Sequence, residues 1–339
     1  MLENNFGPIL GHDRNINFFK KLLALDRQGR QVTTSSYILS GPTGVGKKTV
    51  LFWFLQSLLC VEPDNDWQPC GHCTGCQQFQ YNTWPDLHIV KKEEGKKNIS
   101  IEQVRDLMGK LAMSSFANGY KIGIIYGAQD LSLSAANSLL KQLEEPNAKV
   151  LIFLLTTSLY DLPLTIVSRS QHLHFQPVAT DLIYDYLIKE RQLKRSQAQN
   201  IAQLSAGRPG LAWQFLDNEA DYQQQLTMAK NFALAFANDI NWRLQTINEL
   251  SLGSGQQASD QALTILDVWQ NVVRDLLIYS YGENDLVQYQ AVAEELQKTA
   301  SRQPISRLLN ASRLLSQAKE YVHANVNAKV ALEQAIINI

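Results

Sequence analysis

The sequence predicts an α/β domain built on a parallel sheet, followed by two helical domains, and three observations carry that prediction. Short apolar runs alternate with helical patterns between about residues 37 and 155, the order that gives parallel strands covered by helices on both faces. From about Val178 the strand signal fades and the pattern becomes helical. The length of 339 residues, at roughly 100 to 200 residues per domain, implies two or three domains.

Buried strands are expected at Tyr37 to Ser40, His88 to Val90, Ile122 to Tyr126 and Val150 to Leu155, each a short apolar run closed by Gly or polar turn residues. Helices are expected over Asn15 to Ala24, Lys47 to Leu59 and Ile101 to Leu111, the last opened by Ser100 and Gln103 at capping-box spacing. A further helix runs from about Ser134 to Glu145 and should stop there, because Pro146 disfavours helical geometry in the residue before it. This block, residues 1–175, is the α/β domain. Leu182, Tyr186 and Leu187 stand at helix spacing and Gly207-Arg208-Pro209-Gly210 breaks the pattern, so residues 176–216 form a small helical domain. Helices dominate again over residues 217–339, interrupted by loops at Ser251 to Gly255 and Gly282 to Asp285. There is no internal repeat or low-complexity segment.

Composition narrows the function classes. Apolar residues make up 45% of the chain and charged residues 19%, which excludes disorder as a general description. The 31 basic and 32 acidic side chains cancel to a net charge of -1, so a protein that grips nucleic acid by bulk charge is a poor fit. The longest apolar run, Val50 to Leu55, falls far short of the ~20 residues of a membrane span. Met1 to Gly11 has no basic segment followed by an apolar one and reads as the start of a cytoplasmic protein.

Gly41-Pro42-Thr43-Gly44-Val45-Gly46-Lys47-Lys48-Thr49 follows an expected strand and opens an expected helix, the context a phosphate loop requires. Glycines let backbone N–H groups curl around phosphate oxygens, the helix N-terminus adds positive potential, and Lys47 supplies a point charge. The position after Lys47, where Ser or Thr would hold magnesium, is Lys48, and Thr49 comes one residue late, about 100° around the helix. Hydrolysis also needs acidic groups at the end of a later strand, but Tyr126 and Gly127 stand there. Asp130, further into the loop, reads more simply as a turn or capping residue. The bland reading of the glycines is an ordinary strand-to-helix turn.

Cys60, Cys70, Cys73 and Cys76 are the only cysteines of the chain, and two overlapping C-x-x-C spacings with one thiol upstream supply the four soft ligands that tetrahedral zinc wants. A redox pair or two disulfides are the competing readings; a cytoplasmic chain disfavours stable bridges, and a redox pair needs no further cysteines. A site closed by four thiolates is structural, and His72 then needs no metal role. From spacing alone, Arg169, in a polar turn after Leu162 to Val167, reads as a surface ion-pair arginine.

At these residues the sequence resembles the DNA polymerase III clamp-loader subunits of the AAA+ superfamily. The cues are the phosphate loop, the cysteines after its helix, Ala136-Asn137-Ser138-Leu139-Leu140-Lys141-Gln142-Leu143-Glu144-Glu145-Pro146, and Ser168-Arg169-Ser170 where the family usually has Ser-Arg-Cys. Asn325 to Glu333 and the overall length are similar to the delta-prime branch. The resemblance implies an AAA+ domain with a zinc module at residues 60–76, a helical lid over 176–216 and a helical collar over 217–339. It also implies a five-subunit ring with tau/gamma and delta subunits, which places a sliding clamp on primer-template DNA, and a bacterial replisome location. Gly210 stands where motor subunits carry a phosphate-sensing lid arginine. Together with Lys48, Tyr126 and Gly127 it implies a stator whose nucleotide pocket, formed by Gly41, Gly44, Gly46, Lys47, Lys48 and Thr49, binds ATP or phosphate weakly or not at all. Arg169 would then act in trans, as an arginine finger on a neighbouring ATPase subunit. Two rival readings are an ATP-hydrolysing motor subunit and a zinc-dependent nucleic-acid-binding module. The missing carboxylates weigh against the first, and the neutral charge with no basic and aromatic cluster around the cysteines weighs against the second.

Overall fold

A computed structural model describes residues 8–29, 35–115, 119–145, 147, 149–250 and 252–339. Pro146, expected to end a helix, and Ser251, in an expected loop, lie outside the described residues, as do the first seven. The chain divides into two compact units, one containing the residues up to Leu182 with Arg208–Leu211, the other Ile183–Gly207 with Ala212–Ile339.

The first unit is a five-stranded parallel sheet. Its strands are β1 (Ser36–Ser40), β2 (Leu87–Val90), β3 (Lys121–Tyr126), β4 (Val150–Thr156) and β5 (Gln171–His174), in the order β2-β3-β4-β1-β5. Four are the expected strands. The fifth, Gln-His-Leu-His, buries only Leu173 fully and so lacks the apolar run that marks the others. Registers are in phase, with Ile38 opposite Leu154 and His172, and Ile124 opposite Phe153.

The period of two in a strand sends alternate residues to opposite faces, and both faces are covered. Leu151, Phe153 and Leu155 of β4, with Tyr37, Leu39, Ile122 and Ile124, pack against Phe19 and Leu23 of α1 (Asp13–Arg27) and Val50, Leu51 and Phe54 of α2 (Lys47–Leu59). On the other face Val150, Ile152, Leu154, Ile38 and Ile125 meet Val104, Leu107 and Leu111 and then Ala135, Leu139, Leu143 and Ile166. Those residues belong, in turn, to α4 (Ile101–Ala112), α5 (Leu133–Glu144) and α6 (Leu164–Val167); α3 (Thr74–Gln80) precedes them in the chain. Full burial of each such side chain stabilises by about 1.5 to 3 kcal/mol, which is why this sheet, rather than local propensity, fixes the domain. The capping box of α4 is complete: Gln103 N donates to Ser100 Oγ at 3.4 Å and Ser100 N to Gln103 Oε1 at 3.0 Å.

Helices make up the regular structure described after β5. They are α7 (Thr180–Lys189), α8 (Arg195–Leu204), α9 (Pro209–Asp217), α10 (Glu219–Ala235), α11 (Ile240–Asn248), α12 (Gly255–Tyr281), α13 (Ala293–Ala300), α14 (Ile305–His323) and α15 (Ala328–Ile337). In α7 the buried stripe is Ile183 and Leu187, while Leu182 is exposed. The second unit is centred on α12, whose Trp269 ring stacks on Phe232 of α10 at 4.8 Å. Asp275 of α12 is fully buried and accepts the backbone N–H of Gln288 (2.9 Å) and Tyr289 (2.8 Å) while pairing with Arg274. Its charge is thereby tied to three donors, as a buried carboxylate requires. Gly282, in the left-handed conformation, ends α12 inside the expected loop. Among the described residues no helix is long and apolar enough to cross a membrane.

Candidate functional site: the phosphate loop, the cysteine cluster and Arg169

The loop between β1 and α2 stands at the carboxyl end of the sheet, where the path from β1 runs to the far edge strand β2 and the path from β4 passes β1 to β5. Such a switch point is the usual ligand crevice of an open parallel sheet. Gly41, Gly44 and Gly46 all have positive φ (144°, 79° and 113°). At Gly41 a Cβ would also lie 2.2 Å from the Phe175 carbonyl oxygen, so no other residue fits.

Several of the loop's polar groups have partners within the chain, among them the carbonyls of Gly41, Pro42, Gly44, Val45 and Gly46. The Lys47 ammonium donates to the carbonyls of Gly41 and Pro42, and burial lowers its pKa to about 8. Gly210, at the start of α9, donates its N–H to the Gly44 carbonyl at 2.8 Å; a Cβ at position 210 would fall 3.0 Å from that oxygen and 3.1 Å from Gly44 Cα. The glycine therefore permits a backbone approach that a longer residue crowds. His12 Nε2 lies 2.8 Å from the Val45 carbonyl oxygen, with its ring 4.9 Å from that of Phe175, and burial lowers the histidine pKa. No sequence signal pointed to this histidine.

Lys48 Nζ sits over two rings, 5.5 Å from the centroid of Phe52 and 5.7 Å from that of Tyr126. Tyr126 ends β3, its hydroxyl is buried without a hydrogen-bond partner, and burial raises its pKa. Asp130 pairs with Lys92 at 3.7 Å and lies in the short 3-10 turn Ala128–Asp130, while Thr49 is half-buried on α2.

The four cysteines converge. Cys60 follows α2, Cys70 lies in the next loop, Cys73 caps α3 and Cys76 sits in its first turn; the sulfur atoms all lie within 4.8 Å of one another. Cys70 and Cys76, and Cys60 and Cys73, are paired at 4.0 Å, close to the roughly 3.8 Å edge of a tetrahedron with 2.3 Å zinc–sulfur bonds. Backbone N–H groups point at three of the sulfurs: Cys70 N to Cys60 Sγ (3.3 Å), Cys73 N to Cys70 Sγ (3.4 Å) and Cys76 N to Cys73 Sγ (3.5 Å). Such donors stabilise thiolate. At Cys73, burial works against ionisation but the N–H groups prevail and the pKa falls to about 6, whereas burial pushes Cys60 and Cys76 up. The donor set fits a four-coordinate soft metal such as zinc. His72 is exposed and bonds the Cys70 carbonyl at 2.9 Å. Arg27 of α1 fixes the cluster to the sheet domain by donating to the carbonyls of Cys60 (2.7 Å) and Val61 (3.1 Å).

Arg169 lies in the short turn between α6 and β5, one residue before Ser170. Its Nη2 lies 2.9 Å from Glu144 Oε1, and its Nη1 donates to the Thr165 carbonyl at 3.0 Å and Ser168 Oγ at 3.3 Å. Beside it, Ser170 Oγ meets Ser36 Oγ of β1 at 2.8 Å. Because β1 and β5 run parallel, Arg169 stands at the amino end of the strands and the phosphate loop at the carboxyl end, roughly 13 to 17 Å apart along β1.

Comparisons with known proteins agree. The family model described as DNA polymerase III, delta subunit, matches residues 12–179, and a second model, for the C-terminal part of the DNA polymerase III delta subunit, matches residues 230–339. The chain is 27% identical over 315 residues to DNA polymerase III subunit delta' of Bacillus subtilis, covering 89% of each. It is 31% identical over 219 residues to the Escherichia coli protein of the same name, covering 65% of this chain and 64% of that one. A solved DNA polymerase III gamma subunit-related protein from Thermotoga maritima aligns over 95% of this chain and 97% of its own at 15% identity, with a TM-score of 0.45. With two models of one polymerase family matching both its ends and delta' relatives aligning along it, this chain belongs to the delta-prime family of DNA polymerase III clamp-loader subunits.

Proposed function

We propose that the chain is a stator. It does not hydrolyse ATP itself, and it supplies Arg169 as an arginine finger to the ATP site of a neighbouring subunit in a five-membered ring with tau/gamma and delta subunits, which loads the sliding clamp onto primer-template DNA. In this reading the sheet unit is an AAA+ domain, residues 176–216 its lid and 217–339 the collar that holds the ring together. The setting is the replisome at the nucleoid, in the cytoplasm.

The observation that carries the reading is the placement of Arg169 a strand's length from its own phosphate loop. Any phosphate it meets there belongs to another molecule. A guanidinium is always charged and presents a rigid fork of donors, so it stabilises charge forming on a transferring phosphoryl group across a subunit boundary. Its own loop supports the same division of labour: Lys47 is bonded to loop carbonyls, Lys48 and Tyr126 form a cation–ring contact at 5.7 Å, and Gly210 lies against Gly44. Hydrolysis there would lack both a magnesium ligand and an acid at the strand end. Zinc held by Cys60, Cys70, Cys73 and Cys76 has a structural purpose, ordering a loop with few apolar residues.

The test is a ring reconstituted with Arg169→Ala. DNA-stimulated ATP hydrolysis and clamp loading should fall with assembly preserved, and Arg169→Lys should not restore them. An arginine finger is worth about 10³ to 10⁵ at its own site, diluted in a ring where the other sites keep theirs. Unchanged rates in a normally assembled ring return Arg169 to a surface ion pair.

A further inference from the structure

Glu144 is the last residue of α5, where the helix dipole is negative and an acidic side chain is disfavoured. It is offset there by Arg169, whose Nη2 is 2.9 Å from Glu144 Oε1. The other terminal nitrogen, Nη1, donates to the Thr165 carbonyl (3.0 Å) and Ser168 Oγ (3.3 Å). These contacts engage three of the five guanidinium N–H groups. The side chain nevertheless stays 36% exposed. A fork gripped along one edge keeps its charge and its orientation, and the remaining donors are available to a second anion.

We propose that Glu144 is a positioning residue for Arg169, fixing the guanidinium at the chain surface so that its unengaged donors meet a phosphate presented by another subunit without first losing side-chain freedom. The inference rests on the trans-acting reading of Arg169. A long arginine side chain ordered only on encounter loses rotamer entropy at that moment, and an arginine already ordered does not. Because Glu144 touches only Arg169 in this scheme, its effect must vanish when Arg169 is removed. A carboxylate that instead held the arginine back from phosphate would act in the opposite direction.

The experiment compares rings containing the full chain as wild type, Glu144→Gln, Glu144→Ala, Arg169→Ala and the Glu144→Ala/Arg169→Ala pair, with kcat and KM for ATP measured separately. The expected result is a loss of about two- to fivefold in the Arg169-dependent part of kcat for both Glu144 variants, the scale of a partly exposed ion pair. KM should be little changed, the thermal midpoint of the isolated chain should not fall, and the Arg169→Ala background should show no additional loss. Wild-type or faster turnover in the Glu144 variants, with Arg169→Ala slow, overturns the positioning role alone. Losses that add in the pair also overturn it. If Arg169→Ala itself turns over normally, the trans-acting reading fails and the positioning role falls with it.

Discussion

The Lys48 ammonium lies 5.7 Å from the centre of the Tyr126 ring, so a lysine and a phenol face each other where a phosphate-loop ATPase places a magnesium-binding hydroxyl and a strand-end carboxylate. A cation over an aromatic face is stabilised by the ring quadrupole, by about 0.5 to 2 kcal/mol. The pair therefore replaces one electrostatic arrangement with another that needs no metal. The isolated chain is expected to show no magnesium-dependent ATP turnover above background, and Lys48→Thr alone should not create it, because position 126 still carries no acid. Turnover that disappears in Lys47→Ala would contradict this.

Lys47 links the loop to pH. Burial holds its folded pKa at about 8, below the ordinary 10.5, so between these values the unfolded chain binds more protons than the folded one. Stability contributed through this residue therefore rises as pH rises from about 8 to about 10.5, and below about 8 its unfavourable contribution is fully present. Denaturation curves of wild type and Lys47→Met across this range should converge or cross in favour of wild type as pH rises; parallel curves would refute the assignment.

One zinc per chain is expected by elemental analysis, lost in Cys73→Ser. Chelation should raise hydrogen exchange in residues 60–80 first and leave the sheet protected, because Phe153 and its neighbours are buried by α1 and α2 independently of the thiols. Simultaneous loss of sheet protection is the contrary outcome.

A Cβ at Gly75 would lie 2.2 Å from the Leu59 carbonyl oxygen at the end of α2. Gly75→Ala must push α3 away from that turn, separating Cys76 from Cys60. Metal affinity should drop at least tenfold by competition with a chelator, the scale of disturbing ligand support, without loss of the α/β core. Unchanged affinity would show that the cluster tolerates the shift.

Much of this was legible in the sequence, for reasons specific to each part. Four strands announced themselves as apolar runs because both faces of the sheet are covered, and the cysteines did so through spacing that leaves few other chemistries. β5 was not legible, since an edge strand burying only Leu173 fully needs no apolar run. The short helix α3 was hidden inside the cysteine loop, where ligand spacing outweighs helical periodicity. Long-range pairs escaped altogether: His12 against Val45, Gly210 against Gly44 and Glu144 against Arg169 join residues that only the folded sheet brings together.

The Gly41 contact with the Phe175 carbonyl bears on how such chains are recognised. Its glycine is demanded by the crossing of two neighbouring backbones, whatever the loop contains. A lineage can discard magnesium ligands and strand-end acids one at a time while this steric requirement still filters out every other residue at position 41. The fingerprint then outlives the chemistry that gave it its name. A search that counts nucleotide hydrolases by their glycines counts a folding constraint as well, and the side chains at positions 48 and 126 are the better places to look for an engine.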